Sequence, residues 1–263
     1  MNIYADNRML SEGLIGGTVS RHAGDMRDLS NQNEVFGKLG VAQDKILHFH
    51  QTHSDRIIHI ASDADALSLQ NRPEEDADAW VFSCGGWGGA VQTADCVPLF
   101  LYDPVTGVFG TVHSGWKGTG IIGEAVKLAQ EKYGSRAEDM CVAIGPHIGK
   151  ECYCIDEERK DWFLKNFGNC VCEIKNEGKI QRTSDGKVLK YSLDLTEANL
   201  FVLKNSGVKE ENIVAASDCT CCSVFSDGSF VFGSFRRQAA FLPDCVSAEE
   251  RSRSMTVQAA FVI

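Results

Sequence analysis

The stretch TADCVPLFLYDPVTGVFGTVHSGWKGTG, residues 93–120, holds two apolar runs, 97–102 and 108–112, joined by Asp103-Pro104-Val105-Thr106-Gly107. A five-residue connection carrying Pro and Gly between two such runs is a hairpin signal. The pairing sets Cys96, just before the first strand, beside His113, just after the second. Strand ends are where a rigid scaffold exposes reactive side chains. Two readings stand open here. Cys96 is either a packed small hydrophobe beside a hydrogen-bonded histidine, or the two residues are ligands converging on one metal ion.

Working outward, further β-like runs fall at 45–50, 56–61, 79–83, 89–93, 141–144, 171–174, 188–193, 213–216, 229–234 and 256–263. Helical spacing is confined to 29–39, 121–133, 157–167 and 194–206, each closed by or near a glycine. The last opens with Asp194 and Glu197 at capping-box spacing. Hairpins dominate over regular strand–helix alternation, which predicts an α+β fold with mixed sheets rather than a doubly wound nucleotide fold. No repeat, low-complexity tract or linker interrupts the chain, so a single domain over residues 1–263 is expected.

Composition narrows the function. A formal net charge of −10, with no run of Lys or Arg, argues against a nucleic-acid or anionic-membrane partner and favours a small molecule. No stretch approaches the roughly 20 apolar residues of a membrane span, and MNIYADNRML lacks a secretory pattern, so a cytoplasmic location is expected. There the eleven cysteines are expected to be reduced thiols.

Four other segments carry chemistry. In KILHFHQTHSDRI, residues 45–57, His48 and His50 share a strand face, and His53 sits where the chain begins to turn. One Cys and two His can hold Zn²⁺ with an open fourth position, and the same trio suits copper. Multicopper chemistry, though, needs several His-x-His pairs, and this chain has one. The segment Ser114-Gly115-Trp116-Lys117-Gly118-Thr119-Gly120 leads into a helix start, where free N–H groups and Lys117 suit an anion, or else form an ordinary tight turn. Arg236 and Arg237 follow a strand and can grip phosphate or stay solvated. The thiols Cys152 and Cys154, and Cys219, Cys221 and Cys222, lack the doubled Cys-x-x-Cys spacing of a zinc ribbon and are expected to pack without a role.

Taken together, SRHAG at Arg21, QTHSD at His53, DADAW at Asp78, TADCVPLFLYD at Cys96, VHSGWKGT at His113, AIGPHIG at Gly145, SDCT at Cys219 and SFRR at Arg236 resemble the YfiH family, also called the multicopper polyphenol oxidase or laccase-domain family. The resemblance covers nearly the whole chain. It implies a four-layer α/β/β/α sandwich and a largely monomeric enzyme. It also implies His53, Cys96 and His113 as zinc ligands, with Cu²⁺ an alternative, and leaves His48 and His50 as extras. The implied activity is phosphorolysis of adenosine, inosine, guanosine and methylthioadenosine, with deamination of adenosine. Partners would then be a nucleoside and phosphate, with Cys96, His113 and Asp78 catalytic and Arg21, Lys117, Arg236 and Arg237 as phosphate candidates. Two other activities are compatible with the resemblance: hydrolysis of mis-made UDP-N-acetylmuramoyl peptidoglycan precursors, by a Cys/His or zinc-water route, and copper-dependent polyphenol oxidation. Two departures, Ala23 in place of a second glycine and a long 238–252 segment, are expected to reshape substrate choice.

Overall fold

A computed structural model describes residues 3–4, 14–70, 72, 75–183 and 186–263. Two sheets carry the architecture. The first has the order β1 (Ile3–Tyr4), β2 (Gly16–Val19), β16 (Gln258–Val262), β6 (Gly88–Thr93), β3 (Ile46–Leu47). The second runs β15 (Ile213–Ala215), β9 (Cys141–Ile144), β7 (Val97–Tyr102), β8 (Phe109–Ser114), β5 (Ala79–Phe82), β4 (Ile57–Ile60). Both mix parallel and antiparallel pairs. A small sheet β10 (Cys154–Ile155), β14 (Tyr191–Leu193), β11 (Val171–Glu173) and the pair β12 (Gln181–Arg182) and β13 (Val188–Leu189) complete the strands.

The central strands are buried along their whole length because both faces are covered. In β5, Trp80 and Phe82 point into a cluster between the two sheets with Phe100, Phe109, Val91 and Val262. Ala79 and Val81, one residue out of phase, face a second cluster beneath α3 (Ile121–Tyr133), α4 (Glu157–Phe167) and α5 (Leu195–Asn205). On the far side, Phe36 and Val35 of α1 (Leu29–Lys38) pack on Phe261, Ala90 and Val19 of the first sheet. The layers therefore follow the expected α/β/β/α sequence. No helix among the described residues is long and apolar enough to cross a membrane.

Three sequence expectations change. The second hairpin strand extends to Ser114, so His113 lies inside β8 opposite Pro98 instead of just beyond it. The run at 45–50 is a strand only over Ile46–Leu47, and His50 makes an isolated parallel bridge to Asp76, so His48 and His50 do not share the face of one strand. Residues 229–234 form no strand and make one bridge, Val224 to Phe230. Further helices occupy α2 (Asp63–Gln70), α6 (Phe235–Gln238) and α7 (Ala248–Arg253). The last is opened by a reciprocal Ser247/Glu250 capping box.

Candidate metal centre and cleft

Three segments meet at one end of the inter-sheet layer. The β7/β8 register puts His113 opposite Pro98, and Cys96 lies two residues before Pro98, hence on the same side of the ladder. His53 arrives on the loop between β3 and β4. The ligand atoms of His53, Cys96 and His113 all lie within 4.8 Å of one another. The Cys96 Sγ is 3.7 Å from His53 Nε2, and the two imidazoles meet edge to face with centroids 4.9 Å apart.

Asp78, at the entrance to β5 and fully buried, assembles this trio. One of its oxygens accepts the His113 Nδ1 hydrogen at 2.7 Å, leaving Nε2 for the centre. The same carboxylate accepts the backbone N–H groups of Thr52 (3.3 Å), His53 (3.1 Å) and Ser54 (2.7 Å) and the Ser54 hydroxyl (2.8 Å). Those bonds hold His53 at φ 59°, a left-handed conformation that a non-glycine residue adopts at a cost of about 1–3 kcal/mol. Asp78 is therefore a positioning residue behind the imidazoles and not, as its motif suggests, a group that meets substrate.

The glycines of the SGWKGTG segment serve the same assembly. A methyl group on Gly115 would sit 2.3 Å from His53 Cδ2, and one on Gly118 would sit 2.8 Å from the Ser54 carbonyl oxygen. The spacing reads in sequence as an anion nest, but here it makes room for the histidine loop. Lys117 is exposed, rests 5.5 Å from the Trp116 ring centroid, and does not line the cleft.

Burial opposes ionisation of the Cys96 thiol, but His113 and then His53 outweigh it and draw its pKa down to about 6. Burial likewise opposes charge on His113, while the Cys96 thiolate and Asp78 lift it to about 9. With no metal bound the pair is thus a thiolate beside an imidazolium. Taken alone, Cys96's lowered pKa would favour folding above pH 9.0 and lose that as pH falls through 6. His113's raised pKa would favour folding below pH 6.5 and lose that as pH rises through 9. Both shifts express one interaction, and the pair releases its two protons near the values of a separate imidazole and thiol. Stability should therefore be nearly flat across this range, and the exchange of protons shows only in reactivity. In chelator-stripped protein, alkylation of Cys96 by iodoacetamide, followed by peptide mass mapping, should rise with a midpoint near pH 6. A midpoint above pH 8 rules the pair out.

The trio forms the floor of a cleft of about 650 Å³, within the range that takes a small organic ligand. Its walls include the side chains of Phe49, Trp116, Tyr153 and Phe235, and its cations are Arg27, Arg159 and Arg236. Arg236 lies over the Tyr153 and Phe241 rings and donates to Gln181 Oε1 and the Cys154 carbonyl, both at 2.9 Å. Arg159 stacks 4.4 Å from the Trp116 ring centroid. Thr93 Oγ1 is buried in the lining and has no hydrogen-bond partner among the described residues.

Of the other arginines singled out in sequence, Arg237 turns away. Its guanidinium donates to the carbonyls of Thr220, Cys221 and Phe232, and burial lowers its pKa. Arg21 sits at the start of a short 3-10 turn outside the cleft lining. His50 pairs with Asp76 at 2.9 Å on the rim, and His48 stays outside the centre with burial lowering its pKa. Asp95 is the carboxylate that lines the cleft. Burial pushes its pKa up, against hydrogen bonds from the Arg236 N–H (2.6 Å) and the Thr220 hydroxyl (2.7 Å). It also has positive φ, 99°. Arg159 and Arg27 escaped the sequence reading because a helix-start or loop arginine gives no local sign of which cleft it will face.

Residues 16–240 match the family model described as multi-copper polyphenol oxidoreductase laccase. An adenosine deaminase, RL5, from an unknown prokaryotic organism is 34% identical over 188 residues, 70% of this chain and 69% of that protein. The purine nucleoside phosphorylase YlmD of Bacillus subtilis is 39% identical over 133 residues, 50% of this chain and 45% of its own length. Among solved structures, Bacillus licheniformis YfiH, described as a hypothetical protein, superposes with a TM-score of 0.72 at 25% identity, covering 95% of this chain and 92% of that one. YlmD from Geobacillus stearothermophilus gives the same TM-score and identity over 95% and 91%.

Proposed function

The chain belongs to the multi-copper polyphenol oxidoreductase laccase family, and from that premise we propose that it is a zinc-dependent purine nucleoside phosphorylase acting on adenosine, inosine, guanosine and methylthioadenosine, which also deaminates adenosine. The observation that carries this reading is the convergence of His53, Cys96 and His113 on the floor of a cleft walled by aromatic rings and arginines.

The donor set fits a zinc ion. Two imidazole nitrogens and one thiolate are borderline-soft ligands, three protein ligands leave a position open, and the buried Asp78 behind His113 is the outer-shell carboxylate that such centres use. Multi-copper chemistry calls for more imidazole groups. Among the described residues the clusters within ligand reach are this trio and one made of thiols alone. A cation bound by the trio supplies Lewis-acid activation of water or of a polar substrate atom.

The remaining chemistry falls to the chain. Rings at Phe49, Trp116, Tyr153 and Phe235 offer stacking for a purine. In phosphorolysis a phosphate oxygen bonds to C1′ as the C1′–N9 bond breaks, and the departing purine takes up a proton. Arg236 and Arg159 are the cations suited to hold and orient the phosphate. Asp95, its proton affinity raised by burial, is the cleft carboxylate suited to supply the proton. The test is direct: zinc-loaded protein with inosine and phosphate should yield hypoxanthine and ribose 1-phosphate, and with adenosine alone should yield inosine and ammonia. Failure of both reactions rejects the proposal.

Arg159→Gln and Arg236→Gln should each raise KM for phosphate roughly 10–100-fold, the value of a lost charge-assisted hydrogen bond. Deamination uses no phosphate and should change far less. Equal loss of both reactions would show instead that these arginines shape the cleft as a whole.

A second reading has its own support. Cys96, His113 and Asp78 stand in the order of a nucleophile, a base and the carboxylate that orients the base. In that arrangement Cys96 would attack an amide carbonyl, as in a peptidoglycan-precursor hydrolase. Trapping of Cys96 by iodoacetamide in zinc-loaded protein, with loss of activity, would favour it over the metal centre.

A further inference from the structure

Outside the cleft, the fold gathers thiols that the sequence leaves apart. Cys152 follows the Gly149 turn ahead of β10, while Cys219 and Cys222 lie three residues apart in a turn after β15. Their Sγ atoms all lie within 4.8 Å of one another. Cys152 also stands within hydrogen-bonding reach of Cys221. A zinc ion with bonds of about 2.3 Å places its tetrahedral sulfurs roughly 3.8 Å apart, so small rotamer adjustments bring these sulfurs onto a single ion. A cubane iron–sulfur cluster spreads its thiolates more widely than this group is spread.

The backbone around the group is built to hold such an ion. The Gly149 N–H donates to Cys219 Sγ at 3.1 Å, and a Cβ at Gly149 would meet that sulfur in van der Waals contact at 3.4 Å. The turn itself is fixed: the Cys219 carbonyl accepts from the N–H groups of Cys222 (3.3 Å) and Ser223 (2.9 Å), and the Cys219 N–H donates to Ser223 Oγ (2.9 Å). Cys222 is exposed and Cys152 and Cys219 are half-buried, which leaves an entry path from solvent.

We propose that Cys152, Cys219 and Cys222 form a second metal site that takes one thiophilic divalent cation of the zinc type; Cys221, beside Cys152 but outside the three-sulfur group, completes the shell when its side chain turns inward. A shell of thiolates alone makes the site structural. It braces the wall of the cleft: Thr220, inside the turn, donates to Asp95 beside Cys96, and Arg237 ties the Thr220 and Cys221 carbonyls to the segment that carries Arg236.

The test is a metal count on protein produced with zinc and freed of loose metal. Wild type should hold two equivalents per chain. Cys222→Ser, an exposed substitution compatible with folding, should hold one, and so should His53→Ala, which removes a ligand of the other centre. Cobalt substitution of Cys96→Ser gives an independent readout. That variant has no thiolate at the first centre, so strong sulfur-to-cobalt charge-transfer absorption must come from the thiol cluster. One equivalent in wild type with no such absorption in Cys96→Ser overturns the site. So does an unchanged count in Cys222→Ser. A disulfide within the cluster, found by mass spectrometry of protein alkylated without reductant directly on isolation, overturns it as well.

Discussion

Cys96→Ala should leave a folded chain whose nucleoside turnover lies more than about 100-fold below wild type, because losing an outer-shell partner alone typically costs 10–100-fold and Cys96 is a donor itself. The substitution removes one half-buried sulfur and disturbs no backbone bond, so far-ultraviolet circular dichroism should not change. The first centre should lose its metal under conditions where wild type keeps it. Chelation of wild type separates the two readings of this cysteine. If a chelator abolishes turnover and zinc restores it, Cys96 acts as a ligand. If chelated wild type keeps its activity while Cys96→Ala has none, Cys96 is a nucleophile. Turnover within 10-fold of wild type in Cys96→Ala sinks both.

What made this site readable in sequence was the hairpin, and its limits are physical. Runs such as VPLFLY identify central strands because both faces are buried, and turn chemistry at Pro104 and Gly107 fixes their pairing. The helix over Ile121–Tyr133 is likewise legible from its buried stripe and the left-handed Gly134 that ends it. The helix Asp63–Gln70 was not, because it buries only Ala66 and Leu69 and so carries almost no periodic signal. Strand β2 begins with Gly-Gly, which masks its extended conformation. Residues 229–234 hold a short apolar run, Phe230–Phe232, as a strand would, but make only the one bridge from Phe230 to Val224.

The ligands differ in the same way. Cys96 and His113 are set by a local register, whereas His53 is one of three histidines within six residues and only the resemblance singles it out from His48 and His50, since a loop histidine has no periodicity. Its place depends on Asp78, twenty-five residues away in sequence. Arg236 and Arg237 are adjacent and chemically identical, yet one faces the cleft and the other is spent on three backbone carbonyls. Only the path of the short helix after Ser234 decides between them. The thiol cluster is invisible for a related reason: Cys152 comes from a segment remote from the Cys219–Cys222 turn that carries the others.

Asp78→Ala should be the most destabilising single change at the centre, by about 3–5 kcal/mol, the cost of removing one partner from a buried charge pair. Five donors converge on this carboxylate: His113 Nδ1, three consecutive backbone N–H groups and the Ser54 hydroxyl. Alanine leaves them facing a void, and the left-handed turn at His53 loses the bonds that hold it. Metal affinity at the first centre should fall at least 10–100-fold in protein that is still folded, because His113 loses its orienting partner and His53 its fixed loop. Asp78→Asn is the sharper probe. The amide is nearly isosteric but offers one acceptor oxygen, and its NH₂ group must face donors, so it cannot serve His113 and the 52–54 backbone together. It should therefore destabilise less than alanine yet weaken metal binding comparably. Denaturant unfolding and competition against a chromophoric chelator measure the two effects separately. If Asp78→Asn binds metal as wild type does, the carboxylate is only packing the loop, and the assembly of the centre around Asp78 is wrong.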